Sequence, residues 1–152
     1  MKKRYLIDGN NLLHKIPKLS RNNNTDSRLT LALKVDRYFT GKNIICTIVF
    51  DGHRKDIIRT NKIRIEYSGN LTADDVIRNE IERAKNTKLL TVISSDNGIT
   101  DLAKVCSCEI IKSEEFSKML DNNNFNSEII ESKIIDKLKN NNWVQLFEKG
   151  KK

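Results

Sequence analysis

The run IICTIVF, Ile44–Phe50, constrains this chain more than any other stretch. It holds apolar and β-branched residues without alternation, so neither of its faces can stay in water. It reads as a strand covered on both sides, as in a parallel sheet flanked by helices. The rest of the chain fits that frame. Residues 3–7 read as a first strand, KIRIEY (62–67) as a third and less buried one, LLTVISS (89–95) as a fourth and CEIIKS (108–113) as a fifth. Helical spacing lies between them. Leu31, Val35, Tyr38 and Phe39 mark a helix that Asp26 or Ser27 can cap and Gly41 can close. Ala73, Ile77, Ile81 and Ala84 share one face of a helix from Thr72 to about Asn86. Shorter helices are expected near 99–105, in SEEFSKML with Ser113 as cap, and over 127–139, with a last apolar turn at 143–147. Residues 17–25 and the asparagine runs read as loops. Strands alternating with helices predict an α/β fold with a mainly parallel central sheet and right-handed crossovers.

A chain of 152 residues suits one ordinary domain. There is no internal repeat. Residues 1–121 are expected to form the working domain, and 122–152 a helical extension packed on it. No apolar run has the length of a membrane span. The basic start, Met1-Lys2-Lys3-Arg4, leads into only three apolar residues before Asp8, which is no signal peptide, so a cytoplasmic protein is expected. Cys46, Cys106 and Cys108 are odd in number and badly spaced for zinc. The net charge of +8 favours a polyanionic partner, nucleic acid first. The mixture of Asn, Lys and Ile that accompanies it is also what AT-rich coding produces, which weakens the charge argument.

The acids carry more. In a parallel α/β sheet, sites lie at the carboxyl ends of the strands. Asp8 follows the first expected strand, Asp51 the second, Asp74 and Asp75 the third, and Asp96 the fourth. Carboxylates gathered at one edge repel each other unless a cation sits among them. Oxygen ligands without a His or Cys cluster suit Mg²⁺ or Mn²⁺. Each acid also has a local explanation. Asp8-Gly9 and Asp51-Gly52 are ordinary turn chemistry. Thr72 with Asp75 makes a capping box, which leaves Asp74 free to face the site. Asp96 can cap the helix beginning near Gly98, and Asp101 one turn on can reach the same cleft or be solvated. Their joint occurrence favours the metal site. Neither His14 nor His53 sits in a nucleophile motif, and no Gly-rich phosphate loop is present.

The segments LIDGNNLLH, IVFDG, LTADDVIRNEIERA, VISSDNGITDLA and IIKSEEFSKML, in this order, resemble an NYN domain of the YacP-like group, among the PIN-like nucleases. The terminal WVQLFEKG resembles the Trp-x-x-Leu-Phe ending of such chains, so the likeness covers nearly the whole sequence. The resemblance implies a Rossmann-like three-layer α/β/α sandwich and an acidic pocket for Mg²⁺ or Mn²⁺. It implies hydrolysis of RNA phosphodiester bonds, typically as an endoribonuclease. Carried onto matching positions, Asp8, Asp51, Asp74 and Asp96 are the expected metal ligands, with Asn11 in the motif's asparagine place and Ser95 before Asp96. Relatives often have Gly-Ala where this chain has CSCEII, and the asparagine-rich stretch before Ser127 has no counterpart.

On that reading Asp8, Asp74, Asp96 and Asn11 do the catalysis, with Ser95, Asp101 and Asp75 as supporting positions. Arg54, Lys55, Arg59 and Lys62 would hold the RNA backbone, unless they are only a solvated loop. The substrate would be RNA, with mRNA and ribosome-associated RNA as candidates, and oligomeric state stays open, with a homodimer as one option because PIN-like domains often pair. The competing reading is a non-catalytic RNA- or ribosome-binding module with the same fold. A haloacid-dehalogenase-type phosphohydrolase would need a general acid two residues after its nucleophile, and Asp8 is followed by Gly9 and Asn10.

Overall fold

Strand β1 (Lys3–Asp8) lies at the middle of a five-stranded parallel sheet of order β3-β2-β1-β4-β5. The other strands are β2 (Ile44–Phe50), β3 (Arg64–Tyr67), β4 (Leu90–Ile93) and β5 (Glu109–Ile111). The computed structural model describes residues 2–20, 25–54 and 57–122. The helix expected at 127–139, the apolar turn at 143–147, and Lys55 lie outside the described residues. Residues 1–120 form one compact unit and 121–152 a second.

Strand alternation divides the core in two. Ile7, Ile48 and Phe50 point to one face, where α1 (Gly9–His14), α2 (Pro17–Ser20) and α3 (Thr25–Phe39) pack with Phe116 and Leu120 of a helix over residues 113–122, here α6. Leu6, Val49 and Val92 point to the other, against Ile77 and Ile81 of α4 (Ala73–Arg83) and Ile99 and Ala103 of α5 (Asn97–Val105). This is the expected three-layer α/β/α arrangement. The run Ile44–Phe50 is a strand over its whole length, and its last five residues are buried.

Three elements differ from those expected. A helix, α1, starts directly after Asp8, where the sequence offered ordinary turn chemistry as the local alternative. Leu12 and Leu13 bury completely against the sheet and overcome the poor helix propensity of Gly9, Asn10 and Asn11. Residues 17–20 also form a short helix in place of the loop. The third strand is shorter than KIRIEY, because Lys62 and Ile63 are held in a loop. Their backbone N–H groups donate to Asp36 Oδ1, at 2.7 and 3.0 Å, and Asn61 N donates to Oδ2 at 3.1 Å. Burial pushes the Asp36 carboxyl up, but those three N–H groups together pull it below its ordinary value.

The chain places β2 and then β3 to one side of β1, and α4 carries it back to β4 on the other side. The order of the strands therefore reverses between β1 and β4. In open α/β sheets the crevice outside the carboxyl ends at such a point is where ligands bind. Asp8 ends β1, and Ser94, Ser95 and Asp96 follow β4.

Candidate active site

The four residues of DGNN divide the work at this crevice. Asp8 is the N-cap of α1, its Oδ1 accepting from Asn11 N at 3.3 Å. Gly9 is there for closeness: a Cβ would lie 2.6 Å from the Phe50 ring and 2.8 Å from Ile48. Asn10 Oδ1 accepts from Asp51 N at 2.9 Å and so ties the tip of β2. Asn11 Oδ1 accepts from Ser95 N at 3.0 Å and from the Ser113 hydroxyl at 2.7 Å, which ties the tip of β4 and the start of α6. The two carboxamides are thus a hub that sets the relative position of the strand ends.

Asp8 itself is buried. Its Oδ2 accepts from the Ser94 hydroxyl at 3.2 Å, and the Ser94 oxygen accepts in turn from Asp96 N at 3.1 Å. Burial pushes the Asp8 carboxyl up to about 6; the Asn11 N–H and Ser94 hydroxyl oppose this, and the Asp51 and Asp96 carboxylates reinforce it. Asp8 therefore feels the charge of both Asp51 and Asp96.

The remaining acids are anchored by helix starts. Asp51 Oδ1 accepts from Ala73 N, the first residue of α4, at 2.6 Å. Asp96 caps α5 through Oδ1 and Ile99 N at 3.1 Å. Asp75 and Thr72 form the expected capping box, which occupies Asp75. Asp74 is different. Its Oδ2 accepts from Arg78 Nε at 2.6 Å, while its Oδ1 is buried without a hydrogen-bond donor among the described residues. The Arg78 guanidinium lies across the start of α5, over Gly98, where any side chain would run into it.

The other expected positions fall as follows. The Ser95 hydroxyl donates to Glu114 and accepts from Ser113 N. Asp101 is exposed on α5. Arg54 and Arg59 are exposed in the loop after β2. Lys62 precedes β3 and so sits at the amino edge of the sheet, away from the acids. Several contributors went unforeseen. Glu114 receives the Ser95 hydroxyl and the Lys15 ammonium, which with its own backbone N–H hold it down at about 2. Arg28 lies over the Phe50 ring and donates to the Asp51 carbonyl at 3.1 Å. Ser94 and Arg78 complete the set. Only Arg78, four residues after Asp74 on one helix face, had a signal in the sequence.

The family model of the YacP-like NYN domain matches residues 5–149. The chain belongs to that family. NYN domains are part of the PIN-like nuclease superfamily, whose members generally use divalent metals. Among solved structures, the chain is similar to Rae1 (YacP) from Bacillus subtilis, at 20% identity and a TM-score of 0.73, covering 97% of this chain and 90% of that one. The W164L mutant of the same protein matches at 20% identity and a TM-score of 0.73, over 90% of this chain and 85% of that one. These likenesses establish the fold. No curated protein matches. Within this NYN domain, the crevice at the ends of β1, β2 and β4 collects Asp8, Asp51 and Asp96, and Asp74 follows Ala73, the α4 residue whose N–H donates to Asp51.

Proposed function

We propose that this NYN domain is a metal-dependent endoribonuclease whose reaction centre is the carboxyl edge of the sheet around Asp8. One observation carries the reading. A helix cap alone does not need a buried carboxylate, yet Asp8 is buried, burial pushes its pKa up to about 6, and the Asp51 and Asp96 carboxylates add to the shift. Such strain at a topological switch point marks a functional site.

The donors fit Mg²⁺ or Mn²⁺ in kind. Asp8, Asp51 and Asp96 offer only oxygen, and Asp74 keeps a buried oxygen without a donor. They do not make a closed cage: among the described residues no three acid, His or Cys side chains are grouped as ligands. Mg²⁺ is commonly held by one or two carboxylates with waters and substrate phosphate completing the shell, so an open set suffices. A divalent ion bound there would supply charge for the phosphate oxygens and a water of lowered pKa. The chain's own residues do the rest. Asp8 is ionised above pH 6, and Ser94 steers its Oδ2. Asn10 and Asn11 keep the three strand ends in register, so the carboxylates do not reorganise when substrate arrives. Arg28, Arg54 and Lys15 supply positive charge beside the acids for an RNA strand.

A second reading, RNA binding without cleavage, draws on the Arg78–Asp74 pair, which already provides Asp74 with a cation. The test compares end-labelled single-stranded and structured RNA with Mn²⁺, Mg²⁺ or EDTA, for the natural chain and Asp8→Asn. Metal-dependent internal cuts that vanish in the variant are expected. Binding without cuts in any metal favours the second reading, and cuts that survive Asp8→Asn place the reaction elsewhere.

A further inference from the structure

The opposite edge of the sheet carries the reverse charge. A groove of about 230 Å³ opens there between the start of β1, the end of α4 and the start of β4. Lys2, Arg4, Arg83 and Lys85 line it, against Glu80 as its one acid. Glu80 does not simply neutralise the cations. Its Oε2 takes Arg4 Nη2 at 3.5 Å and its Oε1 takes Arg83 Nη2 at 3.1 Å, so one half-buried carboxylate orients two guanidinium groups from different elements. The groove keeps three positive charges more than it needs for Glu80. Around Arg4 a second cavity of about 500 Å³ continues the basic lining with Lys62 and Arg64.

We infer that this amino-edge groove is a binding site for the phosphate backbone of RNA, separate from the acidic crevice. Several points of chemistry favour that ligand. A guanidinium fork held from behind by a carboxylate presents its remaining N–H donors in the geometry that phosphate oxygens accept. The lining offers Leu89 and Leu90 but no aromatic side chain, so it has backbone contacts to give and no base-stacking platform. Arg4 and Asp8 are four residues apart on β1 and share a face of the sheet. That separates the groove from the crevice by roughly 13 Å at about 3.3 Å per residue. A strand of a few nucleotides spans such a distance, whereas a dinucleotide in the crevice does not reach the groove. Cations at the end of α4 also suit the helix dipole, but that interaction accounts for Arg83 and Lys85 only and not for Lys2 and Arg4 on another part of the chain. The choice of RNA rests on the nuclease reading above; the anion site does not.

The experiment measures binding of a fluorescent single-stranded RNA of about thirty nucleotides by anisotropy, in EDTA so that no cleavage occurs. It compares the natural chain with Arg83→Glu/Lys85→Glu and with the charge-matched control Lys104→Glu/Lys118→Glu. All four side chains are exposed, and the control pair lies on α5 and α6, outside the groove. The milder Arg83→Gln/Lys85→Gln variant guards against a folding defect, with thermal melts run on every variant. The groove variant should weaken binding about tenfold or more and reduce the salt slope by about 1.4, the value for two phosphate contacts on a single strand. The control should change affinity less than threefold, and a dinucleotide substrate with metal should be cleaved at the natural rate by the groove variant. Equal weakening by both pairs means that net charge alone acts and overturns the groove. Natural affinity in the groove variant overturns it as well. A natural chain that binds inorganic phosphate in the groove but no RNA overturns the RNA assignment, and the nuclease reading with it.

Discussion

Two Asp-Gly pairs end neighbouring strands, and they look alike in the sequence. In the fold they are opposites. Asp8 is buried, caps a helix and has its pKa pushed up to about 6. Asp51 is exposed, and its Oδ1 is spent on the start of α4. Gly9 has an ordinary backbone and no room for a methyl group, because it lies on Phe50 and Ile48. Gly52 has a φ of +86° and nothing within 4 Å of its missing side chain. The same dipeptide therefore serves packing and reactivity at one strand end, and chain reversal at the next. What separates them is the side chain that follows. Leu12 and Leu13 pull the chain after Gly9 into the core as a helix, whereas the residues after Gly52 are polar and stay in a loop.

The largest predicted effect breaks the pair at the acids. On the proposed function, Asp8→Asn should lower the cleavage rate by about 10³-fold, the scale of removing one preorganised charged group at a reaction centre. Asp51→Asn keeps an oxygen for Ala73 N and should cost about 10–100-fold, as expected of a residue assisting from the margin. Single-turnover rates on one RNA would measure both. Equal losses would mean that burial does not rank these acids.

Stability should move the other way. The folded state holds the Asp8 proton up to about pH 6, against 3.8 for an ordinary aspartate. A raised folded-state pKa gives stability that is fully present below about pH 4 and is lost as pH rises through 6. The loss is about 3 kcal/mol in the metal-free chain. Asp8→Asn cannot ionise, so in EDTA at pH 7 it should be more stable than the natural chain. The gain is up to about 3 kcal/mol, less about 1 for a weaker hydrogen bond. Urea melts from pH 4 to 8 would show the two curves converge at the acid end. A natural chain as stable at pH 7 as at pH 4 would remove the argument for strain at Asp8.

Gly9→Ala comes next. In a helix with open surroundings alanine would stabilise by about 1 kcal/mol. Here the methyl group would land 2.6 Å from the Phe50 ring, and the overpacking should cost about 1–3 kcal/mol. A rise in melting temperature would contradict the close approach. Because α1 carries Asn10 and Asn11, the displacement should also slow cleavage.

How much of this could be read in advance depends on the range of each interaction. The strand Ile44–Phe50 and the Thr72–Asp75 box were legible, since their causes lie within a few residues. So was the capping role of Asp96. The hub was not. Asn10 meets Asp51 across 41 residues and Asn11 meets Ser95 across 84, and no local pattern encodes either. The strand-end rule led to the acids and the family resemblance matched them, but neither pointed to Arg78 holding Asp74. The place of Lys62 was legible in principle. Parallel neighbours force the link between β2 and β3 to return to the amino edge, so its last residues must leave the site. A basic loop written as one unit hid that return.

Gly52→Ala is the smallest effect and the sharpest control for Gly9. With a φ of +86° and no atom within 4 Å, the whole cost is the left-handed backbone, about 1 kcal/mol. Gly52→Asn should cost less, because asparagine visits that region more readily. Neither change should alter cleavage. Asp51 is held by Asn10 and Ala73 independently of Gly52, and the turn keeps its bond from Gly69 N to the Gly52 carbonyl. Thermal melts of the two variants should therefore rank asparagine above alanine at 52, by a fraction of 1 kcal/mol. At position 9 the smaller alanine should be the milder change and asparagine the worse. Opposite orders at two Asp-Gly pairs would show that one glycine is kept for its backbone and the other for its size. The same order at both would mean that close packing at Gly9 is not what sets it apart.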